Sequence, residues 1–273
     1  MEIEEEMENN WILVRGGGDI ATGTIYKLCK CGFRVLVSET EHPSAIRRHV
    51  AFSEAVYQGE MKVEDMTAVL VQNWNEACNI MEKGQPAVIV DPNCLIIKEH
   101  RPMVLVDAIL AKKNLGTNRS MAQCTIALGP GFEAGVDVDY VIETKRGHNL
   151  GRIIKNGSAA PNTGIPGIIG GYGKERVIHA QTEGRLYSRA KISDFVEKDE
   201  VIAVIEAEQE SIFVRASITG ILRGLIRDGY PVTKGFKIAD IDPRESEREN
   251  CFTISDKARC IAGGVLEAIL SKS

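Results

Sequence analysis

The sequence lacks several features that would fix a function class at once. It has no uninterrupted apolar run long enough to span a bilayer and no apolar signal-peptide core. A cytoplasmic protein without membrane insertion is expected. Seven cysteines, an odd number, show no zinc-knuckle spacing, which points away from a disulfide framework and leaves no metal site to predict. The one close pair, Cys29 and Cys31 in "KLCKCGF", sits at a predicted helix end, where residues two apart point to different sides. Two ordinary thiols are expected there. Excess charge is also missing. The stretch "MEIEEEMENN" carries five glutamates and no base, and without it 33 acidic residues face 33 basic ones. A neutral body argues against nucleic acid or a membrane surface as partner. No Ser–His–Asp or Cys–His constellation, H-E-x-x-H or Walker motif is evident.

What is present is a globular composition, 44% hydrophobic and 26% charged over 273 residues, enough for one large domain or two ordinary ones. Short apolar runs alternate with helical stretches in the first half. "WILVR", "FRVLVS", "AVLV" (68–71), "AVIV" (87–90), "MVLVDAIL" (103–110), "QCTIALG" and "DYVIET" read as strands, and "IATGTIYKLCK" and "NWNEACNIMEK" as helices. That alternation predicts an α/β domain over 11–145 with a Rossmann-like parallel sheet covered on both faces.

The turn "VRGGGDIATG" lies between the first strand and the first helix. Gly16, Gly18 and Ala21 match the G-x-G-x-x-G/A fingerprint, and Gly23 follows in the helix. Gly16 would permit the tight turn, Gly18 the approach of a phosphate, and Ala21 close packing of helix on strand. Glu39, at the end of the second strand, stands where an NAD site carries its ribose-binding acid. Asp19 opposes this reading, because its carboxylate falls where a pyrophosphate would lie, although it suits the positive helix end. Arg15 or a bound cation would offset it. The turn is therefore either a phosphate site or a crossover with a self-capped helix.

Other candidates fall at strand ends. Asp107 is either a site carboxylate or a buried, hydrogen-bonded one, and Gly129 and Gly131 of "GPGF" suit a positive-φ turn or a close ligand approach. "ETKRGHNLGR" gathers Lys145, Arg146, His148 and Arg152, either an anion clamp or solvated loop charges, with His148 as an acid/base candidate. Cys94 in "DPNC" is the better candidate for an accessible thiol, whereas Cys124 reads as core.

Residues 146–174 are rich in Gly, Asn and Pro and read as a functional loop. Beyond them is an internal repeat: 179–206 aligns with 215–242 at a constant offset of 36, pairing Ala180 with Ala216, Gly184 with Gly220, Leu186 with Leu222 and Ile202 with Ile238. Two such copies predict a small β domain over 175–243 with a pseudo-twofold axis. The pattern "G-x-L … V-x-K-G-x-x-I-A" resembles the biotinyl/lipoyl-like barrel-sandwich domain. The hairpin stretch "QESIFVRASITG" has no lysine, so no covalent biotin or lipoyl group is expected. Residues 244–273 form a linker and a helix capped by Ser255 or Asp256, whose Gly263–Gly264 pair weakens it or allows close packing.

Taken together, "VRGGGDIATG", "VDAILAKKN", "LGPGFEAGVDVDYVIETKRGHNLGR" and "GSAAPNTGIPG" resemble the YqeB-like accessory proteins of the selenium-dependent molybdenum hydroxylase system. The first half is distantly similar to the Rossmann portion of XdhC-type chaperones. The resemblance implies a maturation role, a molybdopterin-type ligand and the hydroxylase apoprotein as partner, and it carries over no catalytic residue. Two other expectations stand beside it. The fingerprint and Glu39 suggest an NAD-dependent oxidoreductase, and the lysine-free repeat suggests a scaffold for docking or homo-oligomerisation.

Overall fold

A computed structural model describes residues 10–162, 164, 167–208 and 210–271. The acidic tail over 1–9, and parts of "GSAAPNTGIPG" and "QESIFVRASITG", lie outside the described residues. The chain divides into two compact units.

The first unit comprises the stretches up to Pro43, 51–162 and from Ile254 on. Its strands are β1 (Trp11–Arg15), β2 (Arg34–Glu39), β3 (Glu60–Val63), β4 (Met66–Val71), β5 (Ala87–Val90), β6 (Val104–Asp107), β7 (Cys124–Leu128), β8 (Glu133–Ala134), β9 (Tyr140–Ile142), β10 (Ile153–Ile154) and β11 (Gly157–Ser158). Its helices are α1 (Asp19–Lys30), α2 (Ala55–Gln58), α3 (Trp74–Met81) and α4 (Asp256–Leu270). Nine strands form one mixed sheet in the order β10-β9-β7-β6-β1-β2-β5-β4-β3, while β8 and β11 pair separately. The seven central strands run parallel, and β10 and β3 join antiparallel at the two edges. The chain winds outward from β1 to β2 and β5 on one side, then returns to lay β6, β7 and β9 on the other. Trp11 to Val14, Val35 to Val37 and Val104 to Val106 are almost fully buried, as expected for strands covered on both faces.

Helix α1 begins just after the glycine turn, carries Asp19 in its first turn and Lys27 and Lys30 in its last, and stops at Gly32, whose φ is +86°. The Asn73 side chain caps α3 by accepting from the Glu76 N–H at 3.0 Å. The predicted strand over 103–110 stops at Asp107, because the chain then turns out of the sheet with Leu110 at φ +59°.

The second half of this sheet has no long helix between its strands, and α4 supplies the missing cover. Ser255 caps α4 through the Ala258 N–H at 3.2 Å, and the helix lies against α1, β7 and β9. Its approach is close: a Cβ on Gly23 would stand 2.7 Å from that of Ala258, and one on Gly264 would collide with the Gly151 carbonyl oxygen. The β3–β4 turn also holds it, since Glu64 accepts from the Ile254 N–H at 3.0 Å and pairs with Arg259 at 2.7 Å.

The second unit consists of 44–50 and 163–253. It contains β12 (Val177–His179), β13 (Gly184–Ser188), β14 (Phe195–Val196), β15 (Val201–Glu206), β16 (Ser211–Arg215), β17 (Gly220–Leu225), β18 (Tyr230–Val232) and β19 (Lys237–Asp242). Two antiparallel four-stranded sheets result, β12-β19-β17-β14 and β16-β15-β13-β18. Each sheet contains strands from both repeats: β13 of the first pairs with β18 of the second, and β17 with β14. The hydrogen bonds obey the 36-residue offset. The Asp199 N–H donates to Ala216 O and the Gly235 N–H to Ala180 O, both at 2.8 Å. Gly184 and Gly220 occupy matching positive-φ positions where a Cβ would strike the carbonyl oxygens of Glu206 and Asp242. Leu186, Leu222, Ile205 and Ile241 fill one shared core.

These boundaries differ from those expected from sequence. Residues 146–162 belong to the first unit, where β10 extends the large sheet and β11 pairs with β8. The helix over 256–270 belongs there too, because it covers β7 and β9. Residues 44–50 belong to the second unit, where Ile46 O accepts from the Leu225 N–H at 2.8 Å and Arg48 Nε donates to Leu225 O at 2.8 Å. Among the described residues no helix is long and apolar enough to cross a membrane.

The two adjacent glycines of α4 should respond oppositely to alanine. Gly264→Ala should lower unfolding stability by about 1–3 kcal/mol through overpacking. Gly263→Ala, where a Cβ meets nothing within 4 Å, should raise it by about 0.5–1 kcal/mol through helix propensity. Urea denaturation of the two variants checks this, and equal shifts would contradict the packing described.

Candidate functional site at the carboxyl edge of the large sheet

Strands β1 and β6 are neighbours, and the direction of winding reverses between them, so their carboxyl ends mark the switch point at which open α/β sheets commonly hold ligands. Arg15 and Asp107 end these strands in register with each other. Both are buried, and their charged groups stand 3.6 Å apart. Thr117 links them: its Oγ1 accepts from Arg15 Nη1 at 2.9 Å and donates to Asp107 Oδ2 at 2.6 Å. Arg15 also donates to Leu115 O and Pro92 O, each at 3.1 Å, and Asp107 Oδ1 accepts from the Ile109 N–H at 3.2 Å. The loops after β5 and β6 are thus tied to the end of β1. Burial pushes the Asp107 carboxyl above the usual carboxylate range, against the pull of Thr117, the Ile109 N–H and Arg15. Of the two readings of Asp107, the buried, hydrogen-bonded carboxylate matches this geometry. Arg15 is committed to the same network and is not turned toward a pyrophosphate.

The glycine turn is packed on three sides by protein. Gly16 has φ +95°, and a Cβ there would lie 3.2 Å from the Ile109 backbone. Gly17 sits against Ser53, whose N–H donates to Gly17 O at 2.8 Å. The Gly17 N–H donates to Glu39 Oε2 at 2.8 Å, and Glu39 Oε1 accepts from the Thr40 N–H at 2.7 Å. Glu39 therefore folds back onto the turn from the end of β2. Thr22 Oγ1 donates to Gly18 O at 2.9 Å and accepts from the Phe52 N–H at 3.0 Å. Gly18 differs from its neighbours, since a Cβ there would meet nothing within 4 Å. The open side of the turn is at Gly18 and the first turn of α1, where Asp19 stands. Ala21, in the first turn of α1, is fully buried, and Gly23 faces Ala258 of α4, so Gly23 serves helix packing and is not a ligand position.

Several expected site residues are engaged elsewhere. Gly129 has φ +78° and packs against the Thr144 side chain, and a Cβ on Gly131 would stand 2.5 Å from Lys113 N. Protein backbone and side chain, not a ligand, account for both close approaches. Arg146 makes a two-point ion pair with Asp256, at 2.6 and 3.1 Å, so the clamp proposed with Lys145 and Arg152 is not assembled. His148 is exposed and lies 3.4 Å from Arg152 Nη2. Cys94 is not the accessible thiol expected from its loop. It is 1% exposed, held at φ +52° inside the core with Trp11, Leu36 and Leu105, and 3.4 Å from Ser38 Oγ. The left-handed backbone turns its side chain inward, and burial pushes its thiol pKa up. Cys29 is likewise buried, with its thiol pushed up to about 12. Cys31 and Cys260 are exposed.

Sequence reasoning missed two residues of this edge. Thr117 and Glu143 carry no motif. The Glu143 carboxylate accepts from the Lys145 N–H at 2.7 Å and the Ala160 N–H at 2.8 Å, closing the 143–160 loop on itself. Among the described residues no group of three or more His, Cys, Asp or Glu side chains is arranged to hold a metal ion.

No protein-family model matches the chain. The uncharacterized protein YqeB of Escherichia coli (strain K12) is 50% identical over 259 residues, which is 95% of this chain and 47% of that protein. The chain thus spans about half the length of the curated relative it matches. Solved structures give weak likenesses. The ectoine utilization protein EutE (DoeB) of Ruegeria pomeroyi with bound product is 8% identical, with 85% of each chain covered and a TM-score of 0.27. A succinylglutamate desuccinylase/aspartoacylase of Rhodobacter sphaeroides is 10% identical, with 86% of each chain covered and a TM-score of 0.28. Likenesses at these scores carry no inference about fold or chemistry.

Arg15→Met should cost about 3–5 kcal/mol of unfolding stability, because it strands a buried carboxylate and removes the donors to Pro92 and Leu115. The raised Asp107 pKa means that folding favours its protonated form. That contribution is complete below about pH 4 and is lost as the pH rises through the folded-state value, more steeply in the variant. Denaturation at several pH values measures both, and a loss under about 1 kcal/mol would contradict the network. Separately, a thiol reagent applied to native protein should label Cys31 and Cys260 and spare Cys94 and Cys29, as read by peptide mass mapping.

Proposed function

We propose that this chain is an accessory protein in the maturation of a selenium-dependent molybdenum hydroxylase, and that it binds a phosphate-bearing pterin or nucleotide ligand at the carboxyl edge of its large sheet. One observation carries the reading. The stretches through which the sequence resembles the YqeB-like accessory proteins are scattered from Val14 to Gly167, yet they gather at one edge. "VRGGGDIATG" follows β1, "VDAILAKKN" leaves β6, "LGPGF" follows β7 and "ETKRGHNLGR" leaves β9. Ala160 of "GSAAPNTGIPG" returns there through its bond to Glu143. Parallel pairing brings the loops after these strands to one edge, the edge at which open α/β sheets hold their ligands, and a shared ligand there gives the resemblance a function.

Within this reading the first unit is a Rossmann-like domain, supported by the order β5-β2-β1-β6-β7-β9, which follows the doubly wound pattern. The second is a barrel-sandwich domain without a modified lysine, supported by the strand exchange between its repeats. It would serve the hydroxylase apoprotein as a docking module or join two copies of the chain. The ligand phosphate would approach at Gly18, where the backbone is open and the α1 N-terminus is near.

An NAD-dependent oxidoreductase is the second reading, favoured by Glu39 at the end of the strand next to β1. Against it, both Glu39 oxygens already accept backbone N–H groups, and Asp19 adds a second carboxylate beside the pyrophosphate position.

Mass spectrometry of small molecules released from purified protein should find a pterin or nucleotide, and calorimetry should show tighter binding of molybdopterin dinucleotide than of NAD. Gly18→Ala should melt as the wild type does, since its φ is -65° and its surroundings are open, yet weaken that binding about tenfold or more. Absence of any such ligand, together with failure to capture the hydroxylase, would overturn the proposal. Tight NAD binding would favour the second reading.

A further inference from the structure

We infer that β16 is a self-association edge, pairing antiparallel with β16 of a second copy of this chain about a twofold axis at Phe213. The inference takes up one role named above for the repeat unit, the joining of two copies, and is independent of any ligand at the large sheet.

β16 ends its sheet, and no strand lies beyond it among the described residues. An uncovered edge invites pairing with another chain, and proteins blunt such edges with short strands, proline or bulges. The other edges of the two sheets are blunted in these ways. β14 has two residues, β18 has three and carries Pro231, and β12 has three with a register shift after Ile178. β16 has five residues and no proline. The duplication does not call for this edge, because the 36-residue offset matches Phe213 with Val177 of the shorter β12.

The backbone is oriented for the pairing. The Ala216 N–H donates to Glu200 O, and Glu210 O accepts from the Ala207 N–H, so the even-numbered residues of this segment bond toward β15. The backbone groups of Ser211, Phe213 and Arg215 therefore point to the free edge. Antiparallel pairing centred on Phe213 sets Phe213 against Phe213 of the second copy, and Ser211 against Arg215.

The side chains match this register. Val214 belongs to the core, whereas Phe213 is on the outer face and 57% exposed. Tyr187, Val204 and Phe213 stand in one row across the sheet. Pairing continues that row through both copies, with two phenylalanines at its centre, a cross-strand contact that stabilises sheets. Charge sets the direction. A second row holds Arg185, Glu206 and Ser211, and Arg215 of the second copy arrives beside that serine. Its long side chain can pass over the small serine toward the exposed Glu206. In the single chain, Arg215 lies over the Phe213 ring and gives its Nη1 to Asp199 O at 2.7 Å, so pairing offers Nη2 a carboxylate. Parallel, in-register pairing would set Arg215 against Arg215. The twofold uses both β16 edges, and Pro231 guards the far edge of the sheet, so association stops at a dimer.

Light scattering on the full chain should report a dimer. Phe213→Glu, which opposes two carboxylates at the axis, should report a monomer with the circular dichroism spectrum of the wild type. Arg215→Glu should raise the dimer dissociation constant about tenfold or more. Phe213→Cys should form a 213–213 disulfide under mild oxidation, because facing residues of a hydrogen-bonded pair have Cα atoms about 5.5 Å apart. Ser211→Cys should form no 211–211 disulfide, and peptide mapping separates these products from cross-links through the exposed Cys31 and Cys260. Should Phe213→Glu not fold, the two cysteine variants decide. A monomeric wild type, a dimer that survives Phe213→Glu, or absence of the 213–213 disulfide would each overturn the inference. Capture of the hydroxylase by a monomer through β16 would do so too, giving the edge to a different partner while leaving the maturation role in place.

Discussion

The buried Arg15–Asp107 pair governs the carboxyl edge of the first unit. Two opposite charges at the ends of adjacent strands are costly to bury, and their neighbours offset that cost. Thr117 passes a hydrogen bond from one to the other, and the carbonyls of Pro92 and Leu115 take donors of the two terminal guanidinium nitrogens, while the buried Nε makes no hydrogen bond. Two loops are thereby fixed over the strand ends, and one of them, through Ile109, closes over Gly16. The glycine turn takes its shape from this arrangement and not from a ligand. Only its Gly18 face is left open.

The second unit solves a different problem by duplication. Neither repeat has enough strands to bury its own apolar residues, so each lends a short strand to the other's sheet. The matched positive-φ glycines at 184 and 220 allow the carbonyls of Glu206 and Asp242 to come close at corresponding points. The symmetry is broken at Leu225, where the segment 44–50 is drawn in as an extra partner.

How much of this was legible in the sequence depended on how local the cause was. The strands at 11–15 and 87–90, the helix start at Asp19 and the Ser255 cap follow from residues within one or two turns of each other. The repeat was legible because a constant offset needs no knowledge of space. The site was less so. Cys94 stands in a polar loop, and only its left-handed backbone turns the thiol into the core. Arg146 reads as a free cation because its partner, Asp256, is 110 residues away. Glu39 was placed correctly at the end of β2, while its bond back to Gly17 depends on the width of the turn, which no pattern encodes. The destinations of 44–50 and of the helix over 256–270 were hidden for the same reason.

The allegiance of that last helix also bears on the order in which the chain can fold. The large sheet is assembled from residues before 155, but the apolar side of β7 and β9 is not covered until a segment about one hundred residues further along has been made. During synthesis the repeat unit is complete first, and the earlier sheet waits with one face bare. The loop closed in this way has high sequence separation, so formation of the α1–α4 contact is a natural slow and final step of folding. The first turn of α1 and the glycine turn before it are then packed in their final surroundings only after the helix over 256–270 has docked.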